Sequence, residues 1–375
     1  METINGKYVR SMAFLVTMGG IFAIGGTKDA GEESYLAALL ALGLVIPVYT
    51  LYEYLLRQSG ADGLFALCRL ALGRIGGKLV VALWGLYATV LGTVIFGNLL
   101  NFIHTVMLPN TETVTVGCAV AITVAVAAKC GLPALARVSR PLMFSIFGIV
   151  AVTVLLSALY VDYRNFPQPL LQNGFLAVAE GAWSLLSIPF GDLILLLPLL
   201  PSQSTGKRGS RELLKGAGMT AALLMIIFLR NVLALGSATY EMLFFKSFVA
   251  VRLISVGVFF QRIESLVSVI YLVCDVFKLA VCVHCLQKCL RTLTDCDDRG
   301  LLAAPLALWL AGMAAVFILN ERYVVQFLQA SKLISPPFVL GLPLILAVAV
   351  FWRDRTNNRR LPRGSTSSGV RVRGR

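Results

Sequence analysis

Apolar runs of roughly 20 residues follow one another along this chain, separated by short loops that hold most of its basic residues. No other feature restricts the fold as much. A helix needs about 20 apolar residues to cross a bilayer, and within lipid only helices and closed barrels satisfy every backbone polar group. Ten such runs can be drawn, at residues 9–27, 35–56, 78–104, 112–128, 138–161, 181–200, 213–236, 259–287, 301–320 and 334–352. The stretch 63–73, between the second and third, reads as a short amphipathic helix lying at the interface. Composition agrees. Of 375 residues, 58% are hydrophobic and 14% charged, against about 25% charged in a soluble domain.

A net charge of +14 would suit a nucleic-acid binder, but the placement of the charges excludes that reading. Alternate loops and the two ends hold Lys7 and Arg10, Arg57 to Lys78, Lys129 to Arg140, Lys207 to Lys215, Lys288 to Arg299, and the arginines beyond Trp352, 24 basic residues in all. The opposite set holds Lys28, Arg164, Lys246, Arg252, Arg322 and Lys332, which is 6. Positive charge stays in the cytoplasm, so the asymmetry predicts a multi-pass protein with both ends cytoplasmic and an even number of spans. Residues 1–352 form one transmembrane domain, with halves at about 9–161 and 181–352. The tail 353–375, rich in Arg, Ser and Gly, reads as a disordered cytoplasmic flank able to meet anionic membrane lipid.

Lys7 and Arg10 precede the first apolar run as a signal peptide would require, but no small-residue cleavage site follows, and the run is read as the first span. Eight cysteines give no disulfide framework, since Cys118, Cys274 and Cys282 fall inside apolar runs and pack as small hydrophobes. Cys282, Cys285 and Cys289 share one helix face, an arrangement structural zinc rarely uses. No P-loop, HExxH or GxSxG is present, so no catalytic residue, metal or cofactor is assigned.

Two runs contain breaks. The first carries Gly19-Gly20 and Gly25-Gly26, and the sixth reads Ser187-Ile188-Pro189-Phe190-Gly191-Asp192. Proline removes a backbone donor and glycine loosens a helix. Each break opens one of two five-span halves, and an odd number of spans per half inverts the second relative to the first. The predicted fold is therefore all-α, about ten transmembrane helices in a five-plus-five inverted repeat with interrupted first and sixth helices. Such matched breaks mark a midplane ligand site. Glycines in membrane helices also serve close packing, and that reading stands beside the first. Gly19, Gly20, Gly25, Gly26, Ser187, Pro189, Phe190, Gly191 and Asp192 are the candidate ligand-binding residues, with Tyr87 in the third span. Lys278 lies deep in the eighth span with Asp275 three residues before it, either a local charge pair or a coupling site. Asn98 and Asn101 read as interhelical glue, and Arg230 as a side chain reaching toward the interface.

The stretch Ala250-Val251-Arg252-Leu253-Ile254-Ser255-Val256-Gly257, followed by Phe259-Phe260-Gln261-Arg262-Ile263-Glu264-Ser265-Leu266, resembles the hallmark of GerAB-type spore germination permeases. Ala30 to Leu36, Pro189 to Asp192 and Leu229 to Leu233 agree in order, and Lys278 stands where that family usually has a lysine. Val258 departs from a commonly acidic position, and Asp192 replaces the more usual Glu. The family is similar to the amino acid–polyamine–organocation transporters. The resemblance implies the B subunit of a nutrient germinant receptor, which senses an amino acid or related nutrient in the spore inner membrane or cell membrane. It implies an A-type subunit and a C-type lipoprotein as partners. It also implies structural or signalling roles for Arg252, Gly257, Gln261, Arg262 and Glu264. Two rival functions remain: an amino acid permease, proton-coupled through Asp192 or Lys278, and a membrane scaffold with a vestigial cavity.

Overall fold

The computed structural model describes residues 5–20, 24–61, 63–159, 161, 163–166, 171, 174–200, 209–253, 264–295, 300–317 and 321–360. Among these, all regular structure is helical. The helices are α1 (Gly6–Met18), α2 (Ser34–Ser59), α3 (Leu64–Phe102), α4 (Thr113–Lys129), α5 (Leu132–Ser157), α6 (Gly174–Ser187), α7 (Gly209–Leu235), α8 (Ser237–Met242), α9 (Lys246–Arg252), α10 (Glu264–Thr294), α11 (Ala303–Phe317), α12 (Glu321–Pro336) and α13 (Leu342–Arg360).

Seven helical stretches are long and apolar enough to cross a membrane: Gly31–Ser59, Leu64–Met107, Leu132–Ser157, Gly174–Leu196, Gly209–Leu235, Glu264–Thr294 and Gln329–Trp352. Two more apolar helices, Thr113–Lys129 and Ala303–Val316, are shorter. The remaining expected span, the first, is α1, whose 13 residues extend about 20 Å at 1.5 Å per residue. Its apolar side chains from Val9 to Met18 are buried almost without exception, so this helix is an interior element. The peripheral helices differ. Val114, Ile122 and Val126 on α4, Phe144 and Leu155 on α5, and Leu344 and Val348 on α13 are exposed apolar side chains, as a lipid-facing surface requires. The chain is a multi-pass membrane protein.

The stretch expected to form a short helix before the third span is helical, as the first part of α3. It joins the span at a kink where Gly73 takes φ 77°.

Two sets of helices make most of their contacts within themselves. In one, α1 and α2 both pack on α7, and α2 also packs on α6. In the other, α3 packs on α10 and α4 on α11, with α10 touching α4 and α11 touching α3. The end of α1 crosses from the first set to α10. Small residues permit the closest approaches: Gly216 of α7 lies where a Cβ would be 2.6 Å from the Arg10 carbonyl oxygen. Beside it, the Thr17 and Thr220 hydroxyls hydrogen-bond across the two helices at 2.6 Å.

Candidate functional site

Both expected breaks are physical. Helix α1 stops at Met18, and Gly20 follows with φ 71°, a backbone conformation open to glycine at little cost. Helix α6 stops at Ser187, because Pro189 has no N–H to continue the ladder. The chain resumes as a tight three-residue-per-turn helix, Phe190–Leu196. Freed groups find partners: the Tyr49 hydroxyl donates to the Phe190 carbonyl at 3.4 Å.

Between these breaks lies a cavity of about 280 Å³, close to the lower end of the roughly 300–1,000 Å³ typical of small-molecule sites. Gly20 and Ile24 line it from the first break and Ser184 and Ile188 from the second. Helix α3 adds Val94 and Asn98, and α10 adds Asp275 and Lys278.

Charge concentrates at two levels. At the buried end, the Lys278 ammonium forms an ion pair with Asp192, both side chains being essentially inaccessible. The sequence expectation paired Lys278 with Asp275 on the same helix. The structure makes a different ion pair, because the turn after α6 delivers Asp192 to the ammonium. Asp275 faces α1 instead: a Cβ on Gly19 would lie 2.5 Å from its Oδ1, so glycine is what lets the helix end rest on the carboxylate. The Tyr271 hydroxyl stands beside Asp275 and accepts the Asn98 amide N–H at 2.9 Å.

At the mouth, Lys332 of α12 donates to both oxygens of Asp29 at 2.7 Å, and the Ser184 hydroxyl donates to the same carboxylate at 2.7 Å. Burial pushes the Asp29 carboxyl up, but Lys332 and Ser184 outweigh it and hold it below its ordinary value. Lys246 also lines the mouth, its ammonium 4.1 Å from the centre of the Tyr240 ring. Burial lowers its pKa to about 8, against the opposing pull of Glu241.

Of the sequence candidates, Gly20, Gly26, Asp275 and Lys278 line this cavity. Gly19 backs it through Asp275, and Asp192 reaches it only through Lys278. Gly25, with φ 71°, has its carbonyl held by the Asn231 amide at 3.2 Å and the Tyr240 hydroxyl at 3.0 Å. Tyr87 lies in a small adjoining void, stacked on Phe338 with ring centres 4.6 Å apart. The Ser187 hydroxyl is spent on the Trp183 carbonyl, 3.0 Å away. Gly191 packs against the Leu186 carbonyl, and Phe190 and Pro189 shape the turn. Arg252 is exposed at the end of α9, and Glu264 opens α10. Gly257, Gln261 and Arg262 lie outside the described residues. Arg230 does not reach toward an interface. It is buried, and its Nη2 donates to Asn231 at 2.6 Å.

Sequence reasoning missed the Asp29–Lys332–Ser184 cluster, which joins residues about 150 and 300 positions apart and leaves no periodic trace. Asn98 does bridge helices, as expected, but it also faces the cavity.

A family model described as spore germination protein matches residues 9–323 of the chain. The chain is also 20% identical over 331 residues to a Bacillus subtilis (strain 168) protein named "Putative spore germination protein YfkT", across 86% of this chain and 88% of that protein.

Proposed function

The chain belongs to the spore germination permease family, and from that premise we propose that it is the nutrient-recognition subunit of a germinant receptor. The ligand is an amino acid or related nutrient held at mid-membrane between the broken first and sixth helices. The observation that carries this reading is the cavity bounded by the end of α1, the end of α6 and the Asp275–Lys278 face of α10. A membrane anchor has no use for a polar-floored void, and ionisable groups inside a span point to function by default.

The five-plus-five inverted repeat belongs to the same proposal. If the halves correspond, the second span matches the seventh, the third the eighth, and the fourth the ninth. The contacts α2 on α7, α3 on α10 and α4 on α11 support that pairing, because elements lying beside a two-fold axis in the membrane plane meet their counterparts across it. An A-type subunit and a C-type lipoprotein complete the receptor in this reading, with both ends of the chain cytoplasmic in the spore inner membrane or cell membrane.

The test is ligand-dependent thermal stability of the purified full chain with each common L-amino acid. At least one is expected to raise the melting temperature saturably, and Val94→Trp, which fills the cavity from α3, is expected to remove that response. No shift with any amino acid would favour the scaffold. A specific observation keeps the permease in view, since the buried Asp192–Lys278 pair is a group that proton coupling could use. Saturable, pH-gradient-driven uptake by the isolated chain in proteoliposomes would decide for transport.

A further inference from the structure

The floor of the cavity presents acceptors whose capacity is not filled. Asp275 is fully buried and Asn98 nearly so, and both line the void. The Asn98 carbonyl oxygen has no donor, and the Asp275 carboxylate, which can accept about four hydrogen bonds, has only the Tyr271 hydroxyl and the Gly20 N–H beside it. The orientation of Asn98 follows from its neighbour. Tyr271 turns its hydroxyl proton toward Asp275, which cannot donate when ionised, so Asn98 gives its N–H to Tyr271 and its oxygen is left to the cavity. Charge points the same way. Lys278 closes on Asp192 and also lies near Asp275, so the floor holds two carboxylates to one ammonium.

Buried acceptors without donors cost free energy until something supplies them. A primary ammonium group supplies three N–H donors and the missing positive charge together. A carboxylate ligand would supply neither, and would face Asp275 as a like charge. We propose that the floor of the cavity is an ammonium subsite, with Asp275 as counter-ion and the Asn98 carbonyl oxygen as second acceptor, and that the ligand is recognised through a primary amine. This rests on the cavity being the ligand site, as proposed above, and it sharpens that reading by naming which end of an amino acid goes deepest. It also separates the two acids of the floor. Asp192 neutralises Lys278, while Asp275 is held for the ligand.

Matched probe sets test it on the full chain in lipid nanodiscs: L-alanine, ethylamine and propionate; L-leucine, isoamylamine and 4-methylpentanoate; L-phenylalanine, phenethylamine and 3-phenylpropionate. In at least one set the amino acid and the amine are expected to raise the melting temperature saturably while the carboxylic acid does not. Asp275→Asn is expected to weaken that amine at least tenfold. Asn98→Leu is expected to weaken it several-fold, and it serves as the second variant should Asp275→Asn fail to fold. The wild-type contrast between amine and acid is decisive without either variant. Binding of the acids but not the amines would overturn the ammonium subsite while leaving the cavity as a ligand site. Amine binding unchanged in Asp275→Asn would overturn it too. A shift produced by sodium chloride over choline chloride, lost in Asp275→Asn and with no response to amines, would make it an inorganic cation site instead. No response to any amino acid, amine or acid would overturn the subsite and the cavity reading together.

Discussion

Lys278 lies near two buried carboxylates and closes on one of them, Asp192. A buried ion pair contributes little beyond what a well-packed apolar pair would, but removing one partner strands the other at roughly 3–5 kcal/mol. Lys278→Met is therefore expected to lower stability by several kcal/mol, and Asp192→Asn in the same chain to restore a large part of it. Denaturation of the two variants in the same detergent measures this; equal stabilities would mean Asp192 is not the group Lys278 compensates. The sequence placed Lys278 and Asp275 on one helical face correctly, since i and i+3 neighbours are fixed by helix geometry. It could not show that a residue more than eighty positions earlier would take the ammonium, because that contact exists only once the turn after α6 is packed. The Asp29–Lys332 pair at the mouth was invisible for the same reason. The Asp29 carboxyl is below its ordinary value of 3.8 in the folded chain, so the stability it contributes is fully present above about pH 4 and lost as pH falls through the folded value. Lys332→Gln should thus lower the melting temperature equally at pH 5 and pH 8, by an amount corresponding to about 1 kcal/mol or less for a partly exposed pair, with the difference from wild type closing below pH 4. A difference that already closes between pH 8 and pH 5 would assign the effect to another group.

Helix ends were read less well than helix centres. Hydropathy places the seventh span at 213–236, yet α7 runs Gly209–Leu235, because Glu212 is tolerated in its buried first turn. Arg10 of α1 donates to that carboxylate at 2.7 Å and Lys215 at 2.8 Å. Hydropathy scores the charges and stops, whereas the fold neutralises them and continues. The breaks were legible, since Gly-Gly and Pro carry their backbone consequences locally. The packing that uses small residues was not, because a glycine at a helix contact and one facing lipid look alike in sequence. Helix α7 contains both kinds. A Cβ on Gly216 would meet the Arg10 carbonyl at 2.6 Å and the Ala13 Cβ at 2.7 Å, while one on Gly218 would meet nothing within 4 Å. Gly216→Leu should separate α1 from α7 and cost about 1–3 kcal/mol or more, whereas Gly218→Leu should be neutral or slightly stabilising through helix propensity. Thermal melts of the purified variants decide it. Equal melting temperatures would mean that α1 does not depend on this contact, and would weaken the account of how its broken end is held over Asp275.

For the whole molecule, the class of fold was readable from hydropathy alone, while the cavity was not, since its walls come from the segment after α1, from α3, α6, α8, α10 and α12, and from both halves of the chain. Orientation stands between these. It is a property of the entire chain, yet loop charges predict it, 24 basic residues on one set against 6 on the other, because charge near span ends biases which loops stay in the cytoplasm. Two exposed positions on either side of α4 put this to the test. Asn110 precedes that helix and is exposed, and Cys130 follows it as an exposed native thiol. If both ends of the chain are cytoplasmic, the loop with Asn110 faces outward and the loop with Cys130 faces inward. In a background with Cys118 replaced by alanine, a membrane-impermeant maleimide added to intact cells should modify Asn110→Cys and leave Cys130 untouched until the membrane is permeabilised. The reverse pattern would invert the molecule. The mouth formed by Asp29 and Lys332 would then open toward the cytoplasm, where a subunit sensing external nutrient could not use it, and the receptor reading would fail with the orientation. Modification of both thiols in intact cells would mean that α4, the 17-residue helix, does not span the membrane, leaving an odd number of spans and no inverted repeat.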